Sequence, residues 1–290
     1  LGTFLARDAG LATPEASIYL GLAWSPLASI LGGLMFGYGM ALAGNCGYGA
    51  LARLGGGDFR SFLIVLVMGL AAFATISGPL AYLRAAVFPT LPADAPAGIA
   101  HLIGGTLGMN PTFPAILIGG ALIVIALADR PFRQTPSMLF WSGAIALAIV
   151  SAWVGTSWVA ETGFAATPVV SHTFAAPVGE TMLWIMTASG RPLSFGVGSV
   201  AGVLVGAFIG SLIKGHFRWE ACEDPRELRR QIVGAALMGV GAVVAIGCTV
   251  GQGLSGFSVL SYSAPVTAAA IFAGAALGLR QLITGFLPAE

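Results

Sequence analysis

Residues Ala41 to Gly57 read ALAGNCGYGALARLGGG, a cysteine set among glycines where a long apolar segment ends. Residues Ala242 to Gly256 read AVVAIGCTVGQGLSG and repeat that pattern near the other end of the chain. Glycine gives the backbone conformations closed to other residues and lets a ligand approach main-chain N–H groups. Both stretches are therefore interpreted as points where a helix ends or unwinds and main chain lines a path.

The composition is that of a membrane protein. Of the 290 residues, 57% are hydrophobic and 9% are charged, whereas a soluble domain carries roughly 25% charged residues. So few charges cannot cover a soluble surface. The net charge of +1 gives no sign of nucleic-acid binding. The sequence therefore predicts an all-α, polytopic integral membrane protein.

Since a helix needs about 20 apolar residues to cross a bilayer core, hydropathy predicts seven spans and two shorter segments. The predicted spans are Ile18–Gly44, Phe59–Leu83, Phe113–Ala128, Ser137–Ala160, Ser194–Ile213, Gln231–Cys248 and Ala264–Phe286. Gly98–Gly108 and Gly179–Ser189 are too short to cross and are predicted as half-helices or re-entrant segments. Because non-helical backbone at membrane depth must be shielded or line a cavity, these segments favour a transporter or channel.

Basic residues predict the orientation. The strongly basic loop from Lys214 to Arg230 is expected in the cytoplasm, whereas the 161–190 region has no Lys or Arg and is expected outside. The span before Cys46 then runs inward and the span before Cys248 runs outward. Opposite directions are typical of inverted-topology repeats, a known plan for transporters.

Aligning the two cysteines supports two repeats. It also pairs Gly37 with Gly239, Gly39 with Gly241, Ala43 with Ala245, and Gly49 with Gly251. Some of these matches are expected by chance, because Gly and Ala are frequent in this chain. We predict two transmembrane halves in one membrane domain, 1–136 with the Cys46 loop and 137–290 with the Cys248 loop.

The residues of the two loops indicate an anion path. Backbone N–H groups, the hydroxyls of Thr249 and Ser255, and the amides of Asn45 and Gln252 are the expected donors. A thiol in apolar surroundings without a cationic neighbour is expected to stay protonated, and its weak S–H donor suits a soft, sulfur-bearing anion. The predicted path residues are Asn45, Cys46, Gly47, Gly49, Gly247, Cys248, Thr249, Gly251, Gln252 and Gly253.

Other interpretations of these residues stay open. Buried packing is the ordinary role of a free cysteine, and a redox pair formed by Cys46 and Cys248 in sulfur transfer is a second hypothesis. Metal transport would require a cluster of thiolates that the sequence lacks, so no metal or cofactor is predicted. Arg53 either attracts anions or simply fixes topology. Cys222, in the charged loop, is expected to be an incidental exposed thiol.

Two long blocks resemble the YeeE/YedE family of membrane proteins, whose characterised members take up thiosulfate. They are GGLMFGYGMALAGNCGYGALARLGGGD (Gly32 to Asp58) and FRWEACEDPRELRRQIVGAALMGVGAVVAIGCTVGQGLSG (Phe217 to Gly256). The first carries the family's cysteine, glycine-rich turn and Arg-x-Gly-x-Gly, and the second carries its GCTxGQGLSG motif. The similar order of spans extends the resemblance over most of the chain.

The resemblance implies a fold, a function and partners. The fold would be two inverted halves forming an hourglass, in which Cys46 and Cys248 hydrogen-bond passing thiosulfate without a lasting covalent bond. The function would be that of a non-enzymatic permease for thiosulfate or a related anion in the bacterial inner membrane, with a selenium compound as an alternative substrate. A TusA-like cytoplasmic sulfur carrier is the implied partner. A further family cysteine has no counterpart before Cys46, so we expect either that an N-terminal segment is missing from this chain or that this member works with fewer thiols.

Overall fold

The computed structural model describes residues 1–164, 166–220 and 224–284. Cys222 and the predicted helix end at Phe286 lie outside these ranges. The described residues form α-helices joined by turns, with isolated bridges but no strand, which confirms the all-α prediction. The helices are α1 Gly2–Asp8, α2 Ile18–Gly21, α3 Pro26–Ala43, α4 Gly47–Gly55, α5 Phe59–Ile76, α6 Leu80–Val87, α7 Ile99–Leu107, α8 Thr112–Ala128, α9 Arg130–Arg133, α10 Pro136–Thr162, α11 Ala175–Thr187, α12 Phe195–Ile213, α13 Pro225–Val244 and α14 Ser263–Thr284.

Several described segments are long and apolar enough to cross a membrane. They are Pro26–Gly55, Phe59–Ile76, Pro136–Thr162, Phe195–Ile213 and Ser263–Thr284, and the apolar helix α8 is slightly shorter. In α12, large apolar side chains such as Val205, Ile209 and Ile213 are exposed, as expected of a helix surrounded by lipid. The protein is therefore a multi-pass membrane protein.

Two predicted spans are interrupted. The span predicted for Ile18–Gly44 breaks after α2, where Leu22 is extended, and α3 begins only at Pro26. Proline suits the first turn of a helix and disfavours helical backbone in the preceding residue. The span predicted for Phe59–Leu83 ends at Ile76, and a separate helix begins after Pro79.

The helix before Cys248 begins earlier than predicted. Instead of starting at Gln231, α13 starts at Pro225, because the Asp224 carboxylate accepts a hydrogen bond from the Arg226 N–H at 2.9 Å and caps the helix. Its first turns are charged, so α13 is less apolar than the spanning helices. The two short segments are helical as predicted, in α7 and α11.

The chain folds into two compact units. The first unit comprises residues 1–24, 90–172 and 254–264, and the second comprises 25–89, 173–253 and 265–290. These units are defined by contacts and not by an internal repeat of the chain. The predicted division into two repeat halves at residue 136 therefore stays a prediction.

The first unit buries Trp153 completely, beside Leu20 and Val259. The Trp153 indole N–H donates to the Ser258 hydroxyl at 2.9 Å, which satisfies the polar atom of this large buried side chain. This hydrogen bond fixes the segment that follows the Cys248 loop against α10.

A charged cluster also holds the first unit together. The Glu15 carboxylate accepts hydrogen bonds from the Arg7 guanidinium and from His101 Nε2, the latter at 3.2 Å. Burial raises the pKa of Glu15, but the hydrogen bonds from His101 and Arg7 outweigh burial and hold this pKa at about 2. Glu15 is therefore ionised at neutral pH.

The second unit is built around the long contact between α3 and α13, with α5 packed on α13. Its buried core includes Phe36, Met68, Met238 and Cys248. Glycine permits the close approach of α3 and α13, because a Cβ atom added at Gly241 would lie 2.7 Å from a backbone oxygen of α3.

The glycine contacts between α3 and α13 are reciprocal. A Cβ added at Gly32 would lie 2.8 Å from the Gly241 oxygen, and one added at Gly234 would lie 2.6 Å from the Gly39 oxygen. The alignment that pairs Cys46 with Cys248 also pairs Gly32 with Gly234 and Gly39 with Gly241. Each of the two contacts is therefore the counterpart of the other. A two-fold relation between two elements produces such exchanged contacts. They favour the inverted-repeat prediction, which stays a prediction for the whole chain.

Candidate functional site

The Cys46 turn separates α3 from α4. Gly44 ends α3 in the left-handed conformation with φ 82°, which glycine adopts without strain. Cys46 then takes an extended conformation and caps α4, with its Sγ accepting a hydrogen bond from the Gly49 N–H at 3.4 Å. The thiol thus lies at the positive end of α4, where helix N–H groups lack intrahelical partners.

The Cys248 turn follows α13 in a similar way. Ile246 has φ 56° and Gly247 has φ 154°. The Cys248 Sγ accepts a hydrogen bond from the Gly251 N–H at 3.5 Å, and a short π-helix runs from Gly251 to Gly256. A Cβ at Gly247 would also lie 2.9 Å from the Gln252 side chain, so both its backbone conformation and its surroundings require glycine.

The two turns share one local geometry. In each, the residue two positions before the cysteine is left-handed, and the thiol accepts the N–H three residues later. The turns differ in accessibility, because Cys46 is half-buried whereas Cys248 is only 2% exposed. A β-branched residue at φ 56° is strained, which marks the Cys248 turn as the more tightly held.

The two predicted amides have different surroundings. Gln252 is fully buried, and its Nε2 donates to the carbonyls of Ala245 at 2.8 Å and Ile246 at 3.2 Å. It therefore caps the end of α13 and positions the turn. Asn45 Oδ1 is buried without a hydrogen-bond partner in the described part of the chain. The expected role of the Asn45 amide as a donor to an anion stays a prediction.

The other polar side chains predicted to line or attract an anion have different surroundings. The Ser255 hydroxyl donates to the His172 carbonyl at 2.6 Å and so serves the structure of the first unit. Thr249 is half-buried one residue beyond Cys248. Arg53 is exposed in the last turn of α4. At 1.5 Å per residue it lies about 10 Å along the helix from Cys46, so it does not reach the thiol.

The predicted glycines play unequal parts. Gly47 is buried against Met68, with 2.5 Å between an added Cβ and the sulfur. Gly49 and Gly251 supply the N–H groups that bind the two thiols. An added Cβ at Gly253 would meet nothing within 4 Å, so packing does not require glycine at that position.

The segment before α11 makes contacts with both cysteine-bearing segments that the sequence did not predict. The Thr173 Oγ1 lies 3.6 Å from the Cys248 Sγ, and the neighbouring Phe174 is buried with its ring 5.1 Å from the Tyr48 ring. Hydropathy placed these residues in an outer linker. No local pattern indicated the contacts, which join residues far apart in the chain.

Comparison with known proteins identifies the family. A profile of the sulphur transport family matches residues 1–277. The thiosulfate transporter TsuA of Spirochaeta thermophila is 28% identical over 248 residues, which cover 82% of this chain and 72% of that protein. The thiosulfate transporter TsuA of Escherichia coli K12 is 26% identical over 267 residues, covering 88% of this chain and 72% of that protein. The resemblance to YeeE/YedE is confirmed, and the chain belongs to the sulphur transport family.

Proposed function

We propose that this protein is an inner-membrane permease that takes up thiosulfate or a closely related sulfur-containing anion and does not convert it chemically. The matched geometry of the Cys46 and Cys248 turns carries the proposal, since each places a thiol at the start of a helical segment. The two relatives named as thiosulfate transporters support the substrate.

The local chemistry suits a conducted anion. At the Cys46 turn, the first N–H groups of α4 supply partial positive charge, and the thiol adds a neutral donor. Arg53, the basic residue of α4, lies in the last turn of that helix, at the end opposite the thiol. Donors of this strength attract a dianion and still release it, as conduction requires.

Uptake of labelled thiosulfate tests the proposal directly. Cells without their own route would express the parent chain, Cys46→Ser, Cys248→Ser or the matched control Cys222→Ser, at equal membrane abundance. We expect uptake by the parent and by Cys222→Ser, and strongly reduced uptake by the other two variants. Full uptake by Cys46→Ser and Cys248→Ser would assign both thiols to packing, and no uptake by the parent would reject the substrate.

Thiol trapping during uptake distinguishes a permease from a sulfur-transfer protein. Alkylation followed by mass spectrometry should recover Cys46 and Cys248 as free thiols at every time point. A disulfide between them, or a persulfide on either, would instead support redox chemistry. Competition by selenium analogues in the same cells measures substrate selectivity.

We also propose that the basic loop 214–230 binds a TusA-like sulfur carrier on the cytoplasmic side. In the described part of this loop, Trp219 is exposed and stacks on the exposed Phe59 ring at 4.9 Å, beside the exposed Arg218. Aromatic residues and arginine are enriched in protein interfaces. Trp219→Ala should weaken co-purification of the carrier without lowering membrane abundance, whereas unchanged co-purification would leave the loop only its role in topology.

A further inference from the structure

Two consecutive residues, Thr173 and Phe174, contact both cysteine turns of the second unit. Phe174 precedes α11 and packs against Tyr48, two residues beyond Cys46. Thr173 lies beside Cys248, with 3.6 Å between its Oγ1 and the Sγ. The segment therefore places one hydroxyl group at the thiol that is itself almost inaccessible.

The Thr173 hydroxyl and the Cys248 thiol together have one hydrogen that their mutual contact does not use. The Cys248 Sγ already accepts the Gly251 N–H. A thiol and a hydroxyl each carry one hydrogen, and the contact between them uses one of the two. The other hydrogen is then free to bind a ligand, whichever group donates within the pair.

The exposure and the donor strength of the two groups indicate which hydrogen, the Cys248 S–H or the Thr173 O–H, is directed to a ligand. Cys248 is 2% exposed, whereas Thr173 is only half-buried. A hydroxyl is also a better donor than a thiol. The favoured arrangement has the Cys248 S–H donating to Thr173 Oγ1 and the Thr173 O–H directed to an anion.

We propose that Thr173 is the direct anion-binding group of the Cys248 turn, with Cys248 as its positioning residue. This inference rests on the proposed function and adds a hydroxyl to the thiol path. The Cys46 turn differs, because in the described ranges no side-chain hydroxyl hydrogen-bonds the half-buried Cys46 thiol. An entering sulfur oxyanion thus meets an S–H donor at one turn and an O–H donor at the other.

Uptake kinetics of Thr173 variants test the inference. Thr173→Val keeps the shape and removes the hydroxyl, and it should raise the KM for thiosulfate about tenfold or more, the usual effect of losing a hydrogen bond to a charged group. Thr173→Ser should restore a KM near that of the parent. The matched control Thr181→Val, whose hydroxyl donates to the Pro177 carbonyl within α11, should also leave KM near the parent value.

Further variants separate binding from folding. KM does not depend on the amount of protein in the membrane, and Thr173→Ala should raise it as Thr173→Val does. Cys248→Ala should raise KM as well, with little further rise when Thr173→Val is added, because the two groups act as one unit. The inference fails if Thr173→Val keeps the parent KM, or if Thr173→Ser is as impaired as Thr173→Val. Absence of uptake by the parent would instead overturn the proposed function.

Discussion

Gly37 lies where α3 and α14 approach each other closely, so a larger side chain at this position should lower the stability of the protein. A Cβ added at Gly37 in α3 would lie 1.9 Å from the Ile271 carbonyl oxygen in α14. This is about 1.5 Å inside the optimal contact distance. The obstructing atom belongs to the backbone of a helix and cannot rotate away, so Gly37→Ala must move α3 and α14 apart.

The expected cost follows from overpacking. Inserting a methyl group into a packed core costs about 1–3 kcal/mol, and more where the backbone must shift. We therefore expect Gly37→Ala to destabilise the protein by about 3 kcal/mol, which lowers Tm by about 5–10 °C for a chain of this size. Thiosulfate uptake should fall with it, because α3 carries the Cys46 turn.

The assay is thermal unfolding of the detergent-solubilised protein, followed by the decay of its size-exclusion peak. Gly202→Ala in α12 is the matched control, because its added Cβ would meet nothing within 4 Å. Removing a helix-interior glycine should stabilise that variant by about 0.5–1 kcal/mol. If Gly37→Ala unfolds within about 1 °C of the parent, the close approach of the two helices is refuted.

Three further predictions concern local interactions. Ile246→Gly should stabilise the protein by about 1 kcal/mol, since Ile246 is in the left-handed region, where a non-glycine residue costs about 1–2 kcal/mol. A lower Tm for this variant would contradict the prediction and would mean that packing of the isoleucine side chain outweighs the backbone strain. Gln252→Leu should cost about 2 kcal/mol and reduce uptake, because the buried Ala245 carbonyl and the half-buried Ile246 carbonyl lose their donor. An unchanged Tm would exclude that capping role. For Glu15, whose pKa falls from 4.5 to about 2, the stabilisation is complete above pH 4.5 and disappears toward pH 2. After discounting for partial exposure, this stabilisation by ionised Glu15 amounts to about 1–2 kcal/mol. As the pH is lowered through this range, Tm should therefore fall more steeply for the parent than for Glu15→Gln. Equal slopes would contradict a stabilising role of the Glu15 carboxylate.

Hydropathy predicted most of the membrane helices, and it missed breaks whose cause is local. The apolar run from Ile18 to Gly44 looks continuous because hydropathy averages over a window. Ser25 and Pro26 nevertheless start a new helix within it. The charged start of α13 was missed because Asp224 acts as a cap rather than through hydropathy.

The sequence by itself determined where the two cysteines would lie in the fold. The glycine-rich run after α3 favours a helix end, because Gly44 takes a left-handed conformation without strain, and Cys46 two residues later begins the next helix. These are effects of neighbouring residues on one another, so they can be read from the order of amino acids.

Only the tertiary structure decided what surrounds those cysteines. Thr173 contacts Cys248 although the two residues are far apart in sequence, the Gln252 amide donates to the Ala245 carbonyl, and Gly37 lies against the backbone of α14. Such contacts depend on how helices pack, and packing is fixed by the sum of many small dispersion and hydrogen-bonding energies over the whole unit. No single stretch of sequence contains that sum.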